Sequence, residues 1–105
     1  MRSYELMLAI NPQLEEEELD SLVNKFKKLI EDKKGEVTKV DKWGKRKLAY
    51  EIKDFQEAYY VVLNFNVEGK NVSELERVIK LEEKVIRYLL ILLQKTVSST
   101  QNIKE

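Results

Sequence analysis

A chain of 105 residues can build one compact domain with a single core and is too short for two ordinary ones. Hydrophobic residues make up 43% and charged residues 36%, the balance of a soluble globular protein with a heavily charged surface. Lysine plus arginine equals aspartate plus glutamate at 19 each, so any grip on a nucleic acid has to come from a local patch rather than from net charge. Cysteine and histidine are both absent, which excludes disulfides, thiolate catalysis and Cys- or His-based zinc sites and removes the usual general base. No apolar run approaches a membrane span, and the run within MRSYELMLAI is too short for a signal peptide, so a cytoplasmic location is expected.

Tyr4, Leu6, Leu8 and Ile10 recur at period two and predict a first strand, which Asn11-Pro12 ends. From Leu14 to Lys34 the period changes. Leu19, Leu22, Val23, Phe26, Leu29 and Ile30 form the stripe of an amphipathic helix, with Glu15 to Glu18 at its start, Lys33 and Lys34 in its last turn and Gly35 as its stop. Glu36 to Ile52 returns to strand chemistry, and its parity shifts across Gly44, which predicts a bulge or bend there. A loop from Lys53 to Glu57 leads into AYYVVLNFNV, where Tyr59, Val61, Leu63, Phe65 and Val67 share one face. Ser73 and Glu76 suggest a capping box for a second helix with Val72, Leu75, Val78 and Ile79 inward. VIRYLLILL, Val85 to Leu93, is a last strand, apolar on both faces apart from Arg87. The domain is expected to span residues 1–95, and the polar, aperiodic segment 96–105 has the composition of a disordered tail.

The order strand, helix, strand, strand, helix, strand predicts an α+β ferredoxin-like βαββαβ fold, a four-stranded antiparallel sheet with two helices on one face. The opposite face is then bare. If Leu6, Leu8, Val61, Leu63, Leu90 and Leu92 point to the helices, then Met7, Ala9, Tyr60, Val62, Leu89 and Ile91 point away from them. A contiguous apolar surface of that kind implies a protein partner or a homodimer.

Six cations against two acids lie between Lys39 and Lys53, interleaved with Trp43 and Tyr50, which could stack on bases or ribose. The same lysines would serve equally to guard an edge strand against sheet-to-sheet aggregation, and charge alone leaves the two readings open. AYYVVLNF differs from the aromatic strand of the RNA-recognition motif, and Glu5, Met7 and Ala9 stand where a stacking aromatic would be needed. The four glutamates from Glu15 fan around a helix axis and cannot converge on a metal. An acylphosphatase-like enzyme would need an amide cradle for phosphate, whereas AINPQLEEEE offers no glycine-rich loop and four repelling acids.

In order and spacing, RSYE with a closing NP, then DKWGKRKLAYEI followed by EAYYVVLN, then KLEEKVIRYLLIL, resemble the bacterial small-subunit ribosomal protein number six family. The likeness runs from Met1 to about Lys95, and Glu51 stands where the family pattern usually carries proline. It implies a structural protein without catalytic activity, cofactor or metal. Such a protein pairs with the small basic ribosomal protein eighteen, and together they bind the central domain of 16S ribosomal RNA. That pairing would explain both the neutral charge and the bare sheet face. Arg2, Tyr4, Arg46 and Arg87 match the family pattern as RNA-contact candidates. Lys47, Tyr50 and Lys80 join them on local charge or stacking, with core packing the competing role for Tyr4 and Tyr50. The alternative is a protein-binding or homodimeric regulatory module of the same fold that does not bind RNA.

Overall fold

The computed structural model describes residues 1–93; the expected tail, 96–105, lies outside the described residues. The elements run β1 (Arg2–Ile10), α1 (Glu16–Asp32), β2 (Glu36–Ile52), β3 (Phe55–Val67), a short 3-10 turn (Gly69–Asn71), α2 (Val72–Leu81) and β4 (Val85–Leu93). They form one antiparallel sheet of order β2-β3-β1-β4, the ferredoxin-like topology expected from the alternation of periods.

Period two in β1 and β3 decides the packing. Leu6 stands opposite Leu63, Leu8 opposite Val61 and Tyr4 opposite Phe65, and this face meets Leu22, Val23, Phe26 and Ile30 of α1 and Leu75 and Ile79 of α2. All of these are buried. Withdrawing a large apolar side chain from water contributes about 1.5–3 kcal/mol each, so this interface is the main source of stability. Leu92 departs from expectation. It lies in register with Tyr4 yet is exposed, because β4 is an edge strand with a neighbour on one side only.

The ends of α1 differ in detail from the sequence reading. Glu15 is its N-cap, and the Glu15 N–H donates to Glu18 Oε1 at 3.1 Å. At the other end the left-handed residue is Lys34 (φ 63), not the glycine. The Gly35 N–H donates to Ile30 O and the Lys34 N–H to Glu31 O, both at 2.9 Å, which closes a Schellman motif. Gly35 is needed for space instead: a Cβ there would lie 2.6 Å from Asn66 O and 2.8 Å from Ile30 Cγ2. The expected Ser73–Glu76 capping box is not formed. Ser73 falls inside α2, Asn71 holds the N-cap, and the Glu76 carboxylate accepts a hydrogen bond from Tyr88 Oη at 2.7 Å.

The β2–β3 hairpin is longer than expected. Its connection is not the five residues from Lys53 to Glu57 but Lys53 and Asp54 alone, both left-handed (φ 51 and 70). Two-residue turns of that hand match the twist of paired strands. The register slips at Lys42/Gly44, where Gly44 takes φ 84, so the parity shift at this glycine is a bulge; further slips fall at Val37/Lys39 and, near the tip, between Lys47 and Ile52. Beyond the end of β1 the hairpin tip bends over the face that the helices leave open. Leu48, Ile52, Phe55 and Tyr60 pack there against Ala9, Ala58 and Ile86 in a second, smaller core.

Two consequences can be measured. Gly35→Ala should lower the urea midpoint by an amount equivalent to about 1–3 kcal/mol with an unchanged slope, since backbone and core atoms must both move. Glu82, at the end of α2, is held below the usual carboxylate range. The Lys25 ammonium donates to it at 2.6 Å, partial burial opposes this, and the Lys84 N–H adds a contact at 3.3 Å. A depressed carboxylate contributes stability that is present above its unfolded value of 4.5 and lost as pH falls through its lower folded value. Removing the ammonium with Lys25→Ala should shift the Glu82 titration, followed by carboxyl NMR, back upward and flatten the acid limb of the stability profile.

Candidate functional site

The sheet face opposite the helices carries the candidate residues, and pairing decides which of them share it. Met7 pairs with Val62 and Leu89, Ala9 with Tyr60 and Arg87, and Glu5 with Asn64 and Ile91, so the six expected apolar residues do point to this side. Their accessibility differs. Leu89 is 53% and Ile91 40% exposed, Met7 and Tyr60 are half-buried, but Ala9 and Val62 are only 3% and 4% exposed. Ala9 is roofed by the hairpin tip, and Val62 sits mid-strand between Asp41 and Met7 on the two flanking strands. The reading of this face as wholly bare is therefore corrected: one end is covered by the chain itself, and the accessible apolar strip lies along β4.

Arg87 stands at the edge of that strip. The acid on the neighbouring strand, Glu5, is not its partner: Glu5 is in register with Ile91, two same-face positions away from Ala9, the residue opposite Arg87. The actual partner is Tyr50, whose hydroxyl accepts a hydrogen bond from Arg87 Nη1 at 3.1 Å. β2 and β4 are the two outer strands of the sheet, so this contact spans its full width and depends on the bent hairpin tip. Tyr50 is 64% exposed and is not a core residue. Tyr4 is one: its ring stacks on Phe65 with centroids 5.7 Å apart and 22° between the planes.

The remaining cations divide between the faces. Arg46 is opposite Ala58 on the open side, and its guanidinium lies 5.9 Å from the Trp43 ring centroid, with Trp43 in turn 6.3 Å from Tyr60. Lys47, one residue on, points to the other side, opposite Glu57. Lys45 also faces that side, its amine 5.3 Å from the Tyr59 ring centroid. Lys42 is tied to Asp20 of α1. Arg2 is at the far end of the sheet beside Tyr4 and Gly69. Arg87 and Lys80 line a common depression together with Lys53 at the hairpin turn, a residue the sequence reading counted among the local cations without assigning it a role. Its proximity follows from the short turn and bent tip, which no sequence spacing reveals.

Tyr88, adjacent to Arg87, has its phenol pushed up to about 12, first by burial and then by the hydrogen bond it donates to the Glu76 carboxylate and by that group's charge. It thus stays protonated, as the hydrogen-bond donor to Glu76, throughout the physiological range.

These arrangements define a small α+β domain of ferredoxin-like topology, with an apolar strip flanked by Arg87 on β4 and a second exposed arginine, Arg46, across the same sheet face on β2. The family model for ribosomal protein S6 matches residues 3–91. Small ribosomal subunit protein bS6 of Carboxydothermus hydrogenoformans is 44% identical, over 87% of this chain and 95% of its own. That of Thermoanaerobacter pseudethanolicus is 53% identical, over 87% and 96%. A crystal structure of 30S ribosomal protein S6 from Thermotoga maritima superposes with a TM-score of 0.84 at 42% identity, covering 88% of this chain and 87% of that one. The chain belongs to the ribosomal protein S6 family. It is a protein of the small ribosomal subunit, belongs to a family of structural proteins rather than enzymes, and has its place in the cytoplasmic ribosome.

The accessibility difference predicts divergent outcomes along one face. Val62→Glu should destabilise the fold by about 2 kcal/mol or more, because a carboxylate would replace a buried methyl pair without a hydrogen-bond partner. Leu89→Glu should change stability by less than about 0.5 kcal/mol, since its side chain is already wet. Urea denaturation of the two variants separates them.

Proposed function

We propose that the chain binds the central domain of 16S ribosomal RNA jointly with small-subunit ribosomal protein eighteen, as a structural component of the small subunit. The observation that carries this reading is that one sheet face holds both the apolar Leu89–Ile91 strip with Arg87 beside it on β4 and, across the sheet on β2, Arg46 with the half-exposed Trp43. The strip suits a protein partner, and the arginines with an aromatic face suit phosphate and base. Met7, Tyr60, Leu89 and Ile91 are the accessible members of the partner surface, with Ala9 and Val62 supporting them from beneath. Arg46, Lys47, Lys80 and Arg87 are the RNA contacts of first choice. Arg2 and Tyr4 would form a separate contact at the far end of the sheet, made by the Arg2 side chain and only the hydroxyl end of Tyr4, because the Tyr4 ring is packed.

A domain of zero net charge that offers only a few of its cations to the RNA releases few counterions, so the isolated protein should bind 16S RNA weakly, and adding the basic partner should tighten binding by orders of magnitude. Filter binding with and without the partner checks this; equal affinity in both would exclude a shared RNA surface. Leu89→Glu should abolish capture of the partner in a pull-down while the circular dichroism spectrum is unchanged, because the carboxylate would be buried unpaired only in the complex. Self-association in sedimentation, with no response to RNA or partner, would instead favour the homodimeric module.

A further inference from the structure

The hairpin turn, the last turn of α2 and the start of β4 meet at one end of the sheet around a depression of about 290 Å³. Lys53, Lys80 and Arg87 line it, one from each element, over a wall that includes Ile79, Ile86 and Tyr88. Among the described residues, none of the three cations has a carboxylate within 4.0 Å, whereas Lys25, Lys33 and Lys42 are each tied to an acid. Three of the neighbouring acids are engaged or line another hollow, and Glu51 and Glu83 do not line this one. Glu76 accepts the Tyr88 hydroxyl, Glu82 accepts Lys25, and Asp54 lines a different depression with Lys45 and Lys47. Three unneutralised cations around one hollow repel one another, and an anion relieves that repulsion.

We propose that this depression seats one phosphodiester of the RNA backbone, with Lys53 a contact residue and Tyr50 a positioning residue for Arg87; the proposal rests on the RNA-binding reading above. Tyr50 occupies Arg87 Nη1, which leaves the Nε–Nη2 edge of the guanidinium available for a two-point grip on phosphate oxygens. Lys80 lies in the last turn of α2, where part of its charge offsets the negative end of the helix dipole, so Lys53 and Arg87 supply most of the attraction. Ile79 and Ile86 are buried and form the floor of the hollow, so the grip falls to the cations. The hollow contains no glycine-rich amide cradle of the kind that holds a free nucleotide, which suits a phosphate carried on a larger polyanion also bound elsewhere on the domain.

The test is a salt titration of 16S RNA binding by the complete pair with ribosomal protein eighteen. Lys53→Gly removes the amine and suits the left-handed backbone at that position. It should weaken binding about five- to tenfold and lower the slope of log affinity against log salt by about 0.7–0.9, the signature of one lost phosphate contact. Lys53→Arg should restore both, and Lys28→Ala, on the exposed side of α1, should change neither. Tyr50→Phe should lower the slope by a fraction of one contact, which a purely structural role would not do. If wild type binds tightly and Lys53→Gly keeps its slope, the phosphate seat is wrong while the RNA reading stands. If the wild-type pair does not bind 16S RNA, both fall together.

Discussion

The burial of one face of the central β1–β3 pair beneath two helices is the interaction on which the rest of the molecule depends. Leu6, Leu8, Val61, Leu63 and Phe65 from the sheet meet Phe26, Ile30, Leu75 and Ile79 from the helices, and all are withdrawn from water. The register that brings them together leaves no choice for their neighbours, because period two sends Met7, Ala9, Tyr60 and Val62 to the other side. Both helices are spent on one face. The opposite face must then be covered by something else or remain wet.

The chain covers part of it with its own hairpin. The slip between Lys47 and Ile52 and the left-handed turn at Lys53–Asp54 accompany the bend of an overlong β2–β3 ladder past the end of β1, where it builds a second small core on Ala9, Ala58 and Ile86. This bend has two functional results. It brings Tyr50 across the sheet to Arg87, and it carries Lys53 to the end of α2. It also stops short of Leu89 and Ile91, which stay accessible along the outer strand. The apolar strip and the cationic end are therefore produced by one structural feature, the length and curvature of a hairpin.

Cations that are close in sequence are separated by the same geometry. Arg46 and Lys47 are adjacent, and for that reason face opposite sides of β2. Arg46 lies over Trp43 on the open face, while Lys47 faces the helix side with Lys45. The dense run of charge in DKWGKRK is thus not a single patch. It supplies one arginine to the open face, one ion pair to α1 and two lysines to the far side.

For the inner strands and the first helix, a periodic apolar pattern let the sequence alone determine the outcome: the strand–helix order, the buried stripe of α1, the two faces of β3 and the break in parity at Gly44, whereas Leu92 on the edge strand escaped it. A period reports which side of an element must be dry, and the core enforces it. Local signals with competing partners were less decisive. Ser73 did not cap α2 because the preceding 3-10 turn moved the helix start to Asn71, and Glu76 was taken by Tyr88, about forty ångströms of chain away at extended spacing but adjacent in space. Gly35 was read as the left-handed stop, while the tertiary structure gives that conformation to Lys34 and uses the glycine to let β3 approach. Which outward-facing residues are wet, which cations converge and which partner Arg87 finds were decided by tertiary structure alone. Those properties belong to contacts between segments far apart in the chain, and they follow from the curvature of a hairpin that no one-dimensional period encodes.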